Sequence, residues 1–285
     1  MMGLFKKKVL EPQYYVSATN IPTYNYNVYY MKPLEKLLYF LFAFAVGAAI
    51  GYLFYGGIGK DEFGRPTILT YALNVIISCS VGLIAGILFL PIRTQQIINK
   101  KRQALKLQFR DMLESLTTSL GAGKNVTDSF SAVYDDLKIQ YEEDAYILKE
   151  LEVILSGMHN NIDVEDLLED FGRRSGIGDI ESFANVFRIC YRKGGNIKDT
   201  IRSTYEILSD KMEIAEDIET VVTGSKNEQS IMLVMPILLI AMIKFMSEDF
   251  ADNFTTLTGI LSTTVAIAMF VASYFIGKAV LNIKV

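Results

Sequence analysis

The chain has 285 residues, of which 51% are hydrophobic and 21% charged, with a formal charge of -4 and a mean hydropathy of +0.26. That apolar weight excludes disorder as the main state, and two cysteines, Cys79 and Cys190, exclude a disulfide scaffold. The weak negative charge gives no whole-chain case for nucleic acid as a partner.

The first 33 residues form a cytoplasmic Tyr-rich tail with Lys6, Lys7, Lys8 and Lys32, followed by Lys36. Tyr14, Tyr15, Tyr24, Tyr26, Tyr29 and Tyr30 suit the headgroup layer, so the tail reads as a membrane-lying segment or as a contact arm for a partner. Residues 34–92 carry two long uncharged runs, 37–59 and 66–92. A helix rises about 1.5 Å per residue, so roughly 20 apolar residues cross a hydrocarbon core of about 30 Å. Both runs are long enough, and the tail ahead of the first is too long and polar for a signal peptide. Gly47 and Gly51 make a GxxxG pair, as do Gly82 and Gly86; such spacing lets helix backbones approach closely, within a subunit or between subunits. Asn74, inside the second span, is expected to bond to a neighbouring helix.

Residues 93–228 hold 18 Lys and Arg against 25 Asp and Glu, contain no proline, and read as amphipathic helices. Leu105, Phe109, Met112, Leu113, Leu116 and Leu120 line one face, which ends at the glycine turn Gly121–Gly123. A second helix follows Asn125 or Thr127 and buries Val126, Phe130, Val133 and Leu137. The third buries Leu148, Leu151, Leu155 and Met158 and ends near Gly157. Asp163 caps the fourth, which buries Leu167, Leu168 and Phe171 and closes at Gly172 or Gly176. Asp179 caps the fifth, with Phe183, Phe187, Cys190 and Tyr191. After the turn at Gly194 and Gly195, the sixth buries Ile197, Ile201, Tyr205, Leu208 and Met212 and can run on toward the third span.

Residues 229–285 carry the last two spans. The run 229–243 is short, contains Pro236 and reaches full length only if Lys244 snorkels to the interface; the run 253–277 spans easily. Arg93, Lys100, Lys101, Arg102, Lys106 and Arg110 follow the second span, and Lys278 and Lys284 the fourth. The loop between spans three and four holds Glu248, Asp249 and Asp252, and that at 60–65 is mixed in sign. Excess Lys and Arg mark the cytoplasmic side, so both termini and the centre are expected inside. The fold class is therefore all-α: a polytopic membrane protein with four transmembrane helices and a cytoplasmic six-helix bundle between spans two and three.

Chemical motifs are weak. Gly121-Ala-Gly-Lys124 lacks the first glycine and the final Ser/Thr of a phosphate loop, since Thr118 and Asn125 stand there, and it joins two helices. His159 is the sole histidine, too isolated for a metal site or a nucleophile–base pair. The carboxylates at 142–152 and 163–170 read as solvated helix faces or as a docking surface for a basic partner. No cofactor, metal site or enzymatic activity is expected.

The stretch from 109 to 224 resembles the type II secretion F-domain family. It is carried by FRDMLESL at 109–116, SLGAGKNV at 119–126, FANVFR at 183–188 and GGNIKDTI at 194–201. One such domain between two pairs of spans looks most like the B and C platform proteins of tight-adherence (Tad) pilus systems. The resemblance implies an inner-membrane platform protein that couples a hexameric secretion ATPase to pilin subunits, beside a second platform protein or a further copy of itself. It implies that Gly121, Gly123, Gly194 and Gly195 are structural turns. Glu165, Asp166, Glu169, Arg173 and Arg174 then become candidate ATPase contacts. A transporter or channel subunit is the alternative, which the scarcity of ionisable groups within the spans disfavours.

Overall fold

The computed structural model describes residues 11–16, 19, 21–60 and 65–281; Lys6, Lys7, Lys8, Lys284 and most of the 60–65 loop lie outside it, as do the side chains of Glu248, Asp249 and Lys278. The described residues are 81% helical. Among the described residues the order is β1 (Tyr14–Val16), β2 (Pro22–Tyr24), α1 (Pro33–Tyr55), α2 (Ile68–Gly121), α3 (Val126–Gln140), α4 (Tyr146–His159), α5 (Val164–Ser175), α6 (Gly178–Lys193), α7 (Ile197–Met246), α8 (Glu248–Asn253) and α9 (Leu257–Leu281). The structure divides into two units. Unit 1 comprises the described residues within 1–30 and 94–213, and unit 2 comprises 31–93 and 214–285. The long helices α2 and α7 each contribute to both.

In unit 2, α1, α2, α7 and α9 are long and apolar enough to cross a membrane. Their apolar side chains, such as Leu38, Phe42, Ile76, Met232 and Leu261, are largely uncovered by protein. So much apolar surface around four helices needs a lipid solvent, which makes this a multi-pass membrane protein. The helices run through Pro91 and Pro236, so neither proline ends its span.

Both GxxxG pairs meet at one crossing of α1 with α2. A Cβ on Gly47 would sit 2.7 Å from Ala85 Cβ and 3.1 Å from Gly82 Cα; one on Gly82 would sit 2.8 Å from Phe44 O. Gly51 lies against Val81 and Ser78, and Gly86 against the Phe40 ring. Two polar groups of the spans are answered within unit 2, while Ser78 Oγ is buried without a partner among the described residues. Asn74 Oδ1 accepts from Gly57 N at 2.9 Å, in the turn after α1. Lys244 Nζ donates to Leu53 O at 2.7 Å, over the Phe254 ring, so its ammonium satisfies a carbonyl in the last turn of α1. Lys60 pairs with Asp252.

In unit 1 the core lies between the polar half of α2, helices α3–α6 and the start of α7. Leu105, Phe109, Met112, Leu113 and Leu116 on α2 are fully buried, and Phe109 meets Phe171 and Phe183 at ring separations of 6.1 and 5.4 Å. Each such side chain contributes about 1.5–3 kcal/mol when removed from water. Asn125 caps α3, accepting from Asp128 N at 2.8 Å. Helix α4 ends at His159, near Gly157 as expected; a Cβ on Gly157 would meet Leu167 Cδ2 at 2.5 Å, so this glycine also serves the approach of α5. Asp179 is not the cap of α6. Ile177 holds that place, and Asp179 in the first turn pairs instead with Lys106 of α2 at 3.0 Å and Lys211 of α7 at 2.6 Å. Burial opposes the charge of Asp179, but the two lysines outweigh it and hold the carboxyl below its usual pKa.

The tail differs most from expectation. Its described part forms an antiparallel hairpin, with Tyr14 opposite Tyr24 and Val16 opposite Pro22, and belongs to unit 1. Tyr26 is 2% exposed and is part of the core, so this stretch is an arm of the helical unit.

Candidate functional site

The most elaborate polar constellation in unit 1 holds this arm. Arg174, in the last turn of α5, is buried, with its guanidinium placed by three elements. Nη1 and Nη2 donate to Glu150 of α4 at 2.9 and 2.6 Å, Nε to Asp170 at 2.7 Å, and Nη1 also to Tyr24 O at 3.0 Å. Tyr26 supplies the fourth side: its hydroxyl donates to Glu150 Oε1 at 3.0 Å and its backbone N–H to Arg174 O at 3.0 Å. Burial, reinforced by the Glu150 carboxylate, pushes the Tyr26 phenol well above its ordinary pKa. Burial also works against the Arg174 charge, but Glu150 and Asp170 outweigh it and raise its pKa, so the guanidinium stays charged.

Two further cations grip the arm from α2. Lys101 Nζ donates to Tyr24 Oη at 2.8 Å and lies 4.3 Å from the Tyr29 ring centre. Arg102 Nε donates to Tyr26 O at 3.2 Å, and its Nη2 to Asn27 Oδ1. The tyrosines stack edge to face in series, Tyr14 on Tyr24, Tyr24 on Tyr26 and Tyr26 on Tyr146, with centroids 5.0–5.6 Å apart. Gly176, with φ of 63°, closes α5 where a side chain would collide with Asn27 and Arg102. Sequence reasoning missed this arrangement. Its one trace was a set of tyrosines near lysines, a pattern equally suited to a membrane surface.

The five candidate contact residues fall in two groups. Glu165 and Arg174 are buried, and Arg174 is spent on internal bonds. Asp166, Glu169 and Arg173 reach the surface. Asp166 pairs with Arg188 of α6 at 2.6 Å, Glu169 pairs with the same guanidinium, and Glu165 accepts from Arg192 at 3.0 Å. That bond to Glu165 raises the pKa of Arg192. The expected acidic and basic groups thus face each other across α5 and α6. Arg173 stands apart, its side chain 79% exposed and, among the described residues, tied only to Asp170, at 3.1 Å.

Of the turn glycines, Gly121 is the last residue of α2, Gly123 has φ of 84°, and Gly194 caps α6 with φ of 73°. Gly195 N donates to Cys190 O at 2.8 Å, completing that turn, and Asn196 opens α7 by accepting from Asp199 N at 3.3 Å. Gly121 to Lys124 joins α2 to α3, a helix–helix turn as its spacing implies. The chain matches no protein-family model, no curated protein and no solved structure.

Proposed function

We propose that this chain is an inner-membrane platform protein of a type IV-like or Tad-like pilus, or of a type II secretion machine, which passes the motion of a cytoplasmic secretion ATPase to pilin subunits in the bilayer. The observation that carries this reading is the order of the chain. A polar helical unit is entered through α2 and left through α7, and each of those helices also forms an apolar span. Strain applied to the polar unit therefore has a helical path into the membrane at both of its ends. The resemblance of 109–224 to the F-domain family supports the same assignment. Asn74 and Lys244 both bond to backbone groups within unit 2, which counts against the transporter alternative.

In this reading the polar unit is a cytoplasmic six-helix bundle built from the polar half of α2, α3–α6 and the start of α7. Its surface formed by Asp166, Glu169 and Arg173 meets the ATPase, while Glu165 and Arg174 support that surface from beneath. The test is co-purification of the full chain with the secretion ATPase of its own cell, with D166K/E169K and R173E variants. Loss of the ATPase from both, with the chain still folded and membrane-inserted, is the expected result. Retention in both removes this surface from the proposal, and failure of the unmodified chain to retain any ATPase removes the platform reading itself.

A further inference from the structure

Helix α7 has a stretch that belongs neither to a packed core nor to an apolar run. Its buried side chains are Ile201, Leu208 and Met212, and its uncharged run begins only at Gln229. Between them stands TVVTGS at 220–225, six successive residues of low helix propensity. Valine and threonine lose χ1 freedom against the preceding turn, serine competes for the backbone, and glycine gives up the most backbone entropy. Tertiary packing supplies most of the stability of a helix in a protein. Here it is thin, with Val221 79% exposed and, of the six, only Val222 half-buried.

The geometry weakens the stretch further. Thr220 Oγ1 donates to Glu216 O at 2.9 Å, and Thr223 Oγ1 to Glu219 O at 2.5 Å. Such bonds to the carbonyl four residues back slightly destabilise helices and often bend them. Gly224 also has no packing reason to be glycine. Elsewhere inside helices, as at Gly86, Gly157, Gly172 and Gly277, an added Cβ would come within 3.0 Å of a neighbour. At Gly224 it would meet nothing within 4 Å, so what glycine adds there is backbone freedom. Among the described residues one ion pair crosses the stretch, Lys226 to Glu219 at 3.0 Å. Both side chains are exposed, so it contributes little.

Helix α2 has a weak point of its own where its uncharged run ends. Pro91 lies inside the helix, one residue before Ile92 and two before Arg93, where unit 2 gives way to unit 1. Proline has no N–H, so Ile87 O loses its helical donor, and the ring crowds the same turn. Pro91 is exposed, so contact with other parts of the protein does not explain it. Pro236 differs, being half-buried and well inside the uncharged run of α7. The third connection between the units, through Met31 and Lys32, is not helical.

We propose that residues 220–225 of α7 and Pro91 of α2 form a joint at which the polar unit changes its tilt against the spans. The inference stands without the platform reading, since it rests on the chemistry of two helix backbones. Under that reading, the unbroken chain still carries a pull from unit 1 into the spans.

The test uses the full chain in lipid nanodiscs. Hydrogen–deuterium exchange, read by mass spectrometry, is expected to be faster at 220–228 than at 201–212 or 231–243. Thr220→Ala, Thr223→Ala and Gly224→Ala together raise helix propensity and are expected to slow exchange there roughly tenfold. Exchange alone reports local opening, so a second readout follows the units themselves. With Cys79 and Cys190 replaced by alanine, spin labels are placed on Ile84→Cys in α2 and Glu143→Cys in unit 1, both exposed positions. Pulsed electron resonance is expected to give a broad distribution of distances between them. The triple alanine variant is expected to narrow it, and so is Pro91→Ala. Exchange at 220–228 no faster than at 201–212, or a distribution that neither variant narrows, overturns the joint. Narrowing by the triple variant alone keeps the joint in α7 and removes Pro91 from it.

Discussion

Arg174 is the residue on which unit 1 most depends. Its guanidinium is out of water, and its partners Glu150 and Asp170 come from two helices. The pair is not a large net source of stability, because desolvating both ions offsets most of their attraction. Breaking it is another matter, since Glu150 would remain buried and charged with only Tyr26 to answer it. Arg174→Met is therefore expected to destabilise the chain by about 3–5 kcal/mol. Adding Glu150→Leu removes the orphaned charge and is expected to restore much of that loss. Denaturant or thermal unfolding of the three proteins in the same detergent checks this. A double variant no more stable than Arg174→Met would mean that the loss comes from packing and not from the stranded carboxylate.

Among the elements, the helices were the most legible from sequence. The apolar positions of α2, α3 and α5 recur every three or four residues, and those side chains are the ones the core contains. Two residues show the limit of local rules. Asp179 has the chemistry of a cap, yet Lys106 and Lys211, both distant in sequence, decide its partners. Gly157 does stand near a helix end, but only Leu167 of the next helix shows why a side chain there is excluded. The arm was illegible for a similar reason. Three-residue strands carry too little alternation to register, and the partner that makes Tyr26 a core residue lies 124 positions away. The small-residue pairs could be read as a close crossing, but only the structure puts Gly47 and Gly82 against each other on α1 and α2. Gly82→Leu forces a side chain into the Phe44 backbone and ring, and such overpacking costs about 1–3 kcal/mol or more. The expected result is a lower melting temperature with helicity retained. At Gly224 an added Cβ would meet nothing within 4 Å, so Gly224→Leu supplies the control and should leave the melt nearly unchanged.

At the scale of the whole molecule, one hydrogen bond constrains how the chain is threaded. Tyr26 lies before α1, and Glu150 lies after α2, yet the two are bonded within unit 1. The chain between them must cross the membrane an even number of times, and α1 and α2 supply two crossings. The proposed platform function requires the cytoplasmic side for arm and unit alike. Single cysteines test this in intact cells, because only Cys79 and Cys190 need first be replaced by alanine. Ile21→Cys reports the arm, Glu143→Cys unit 1, and Arg65→Cys and Asn253→Cys the turns between paired spans. A membrane-impermeant maleimide is expected to label Arg65→Cys and Asn253→Cys from outside, and the other two only after permeabilisation. Labelling of Ile21→Cys and Glu143→Cys from opposite sides would break the parity that the Tyr26–Glu150 bond requires. Labelling of both from outside would keep the threading but invert it, leaving unit 1 where no nucleotide-driven motor could reach it.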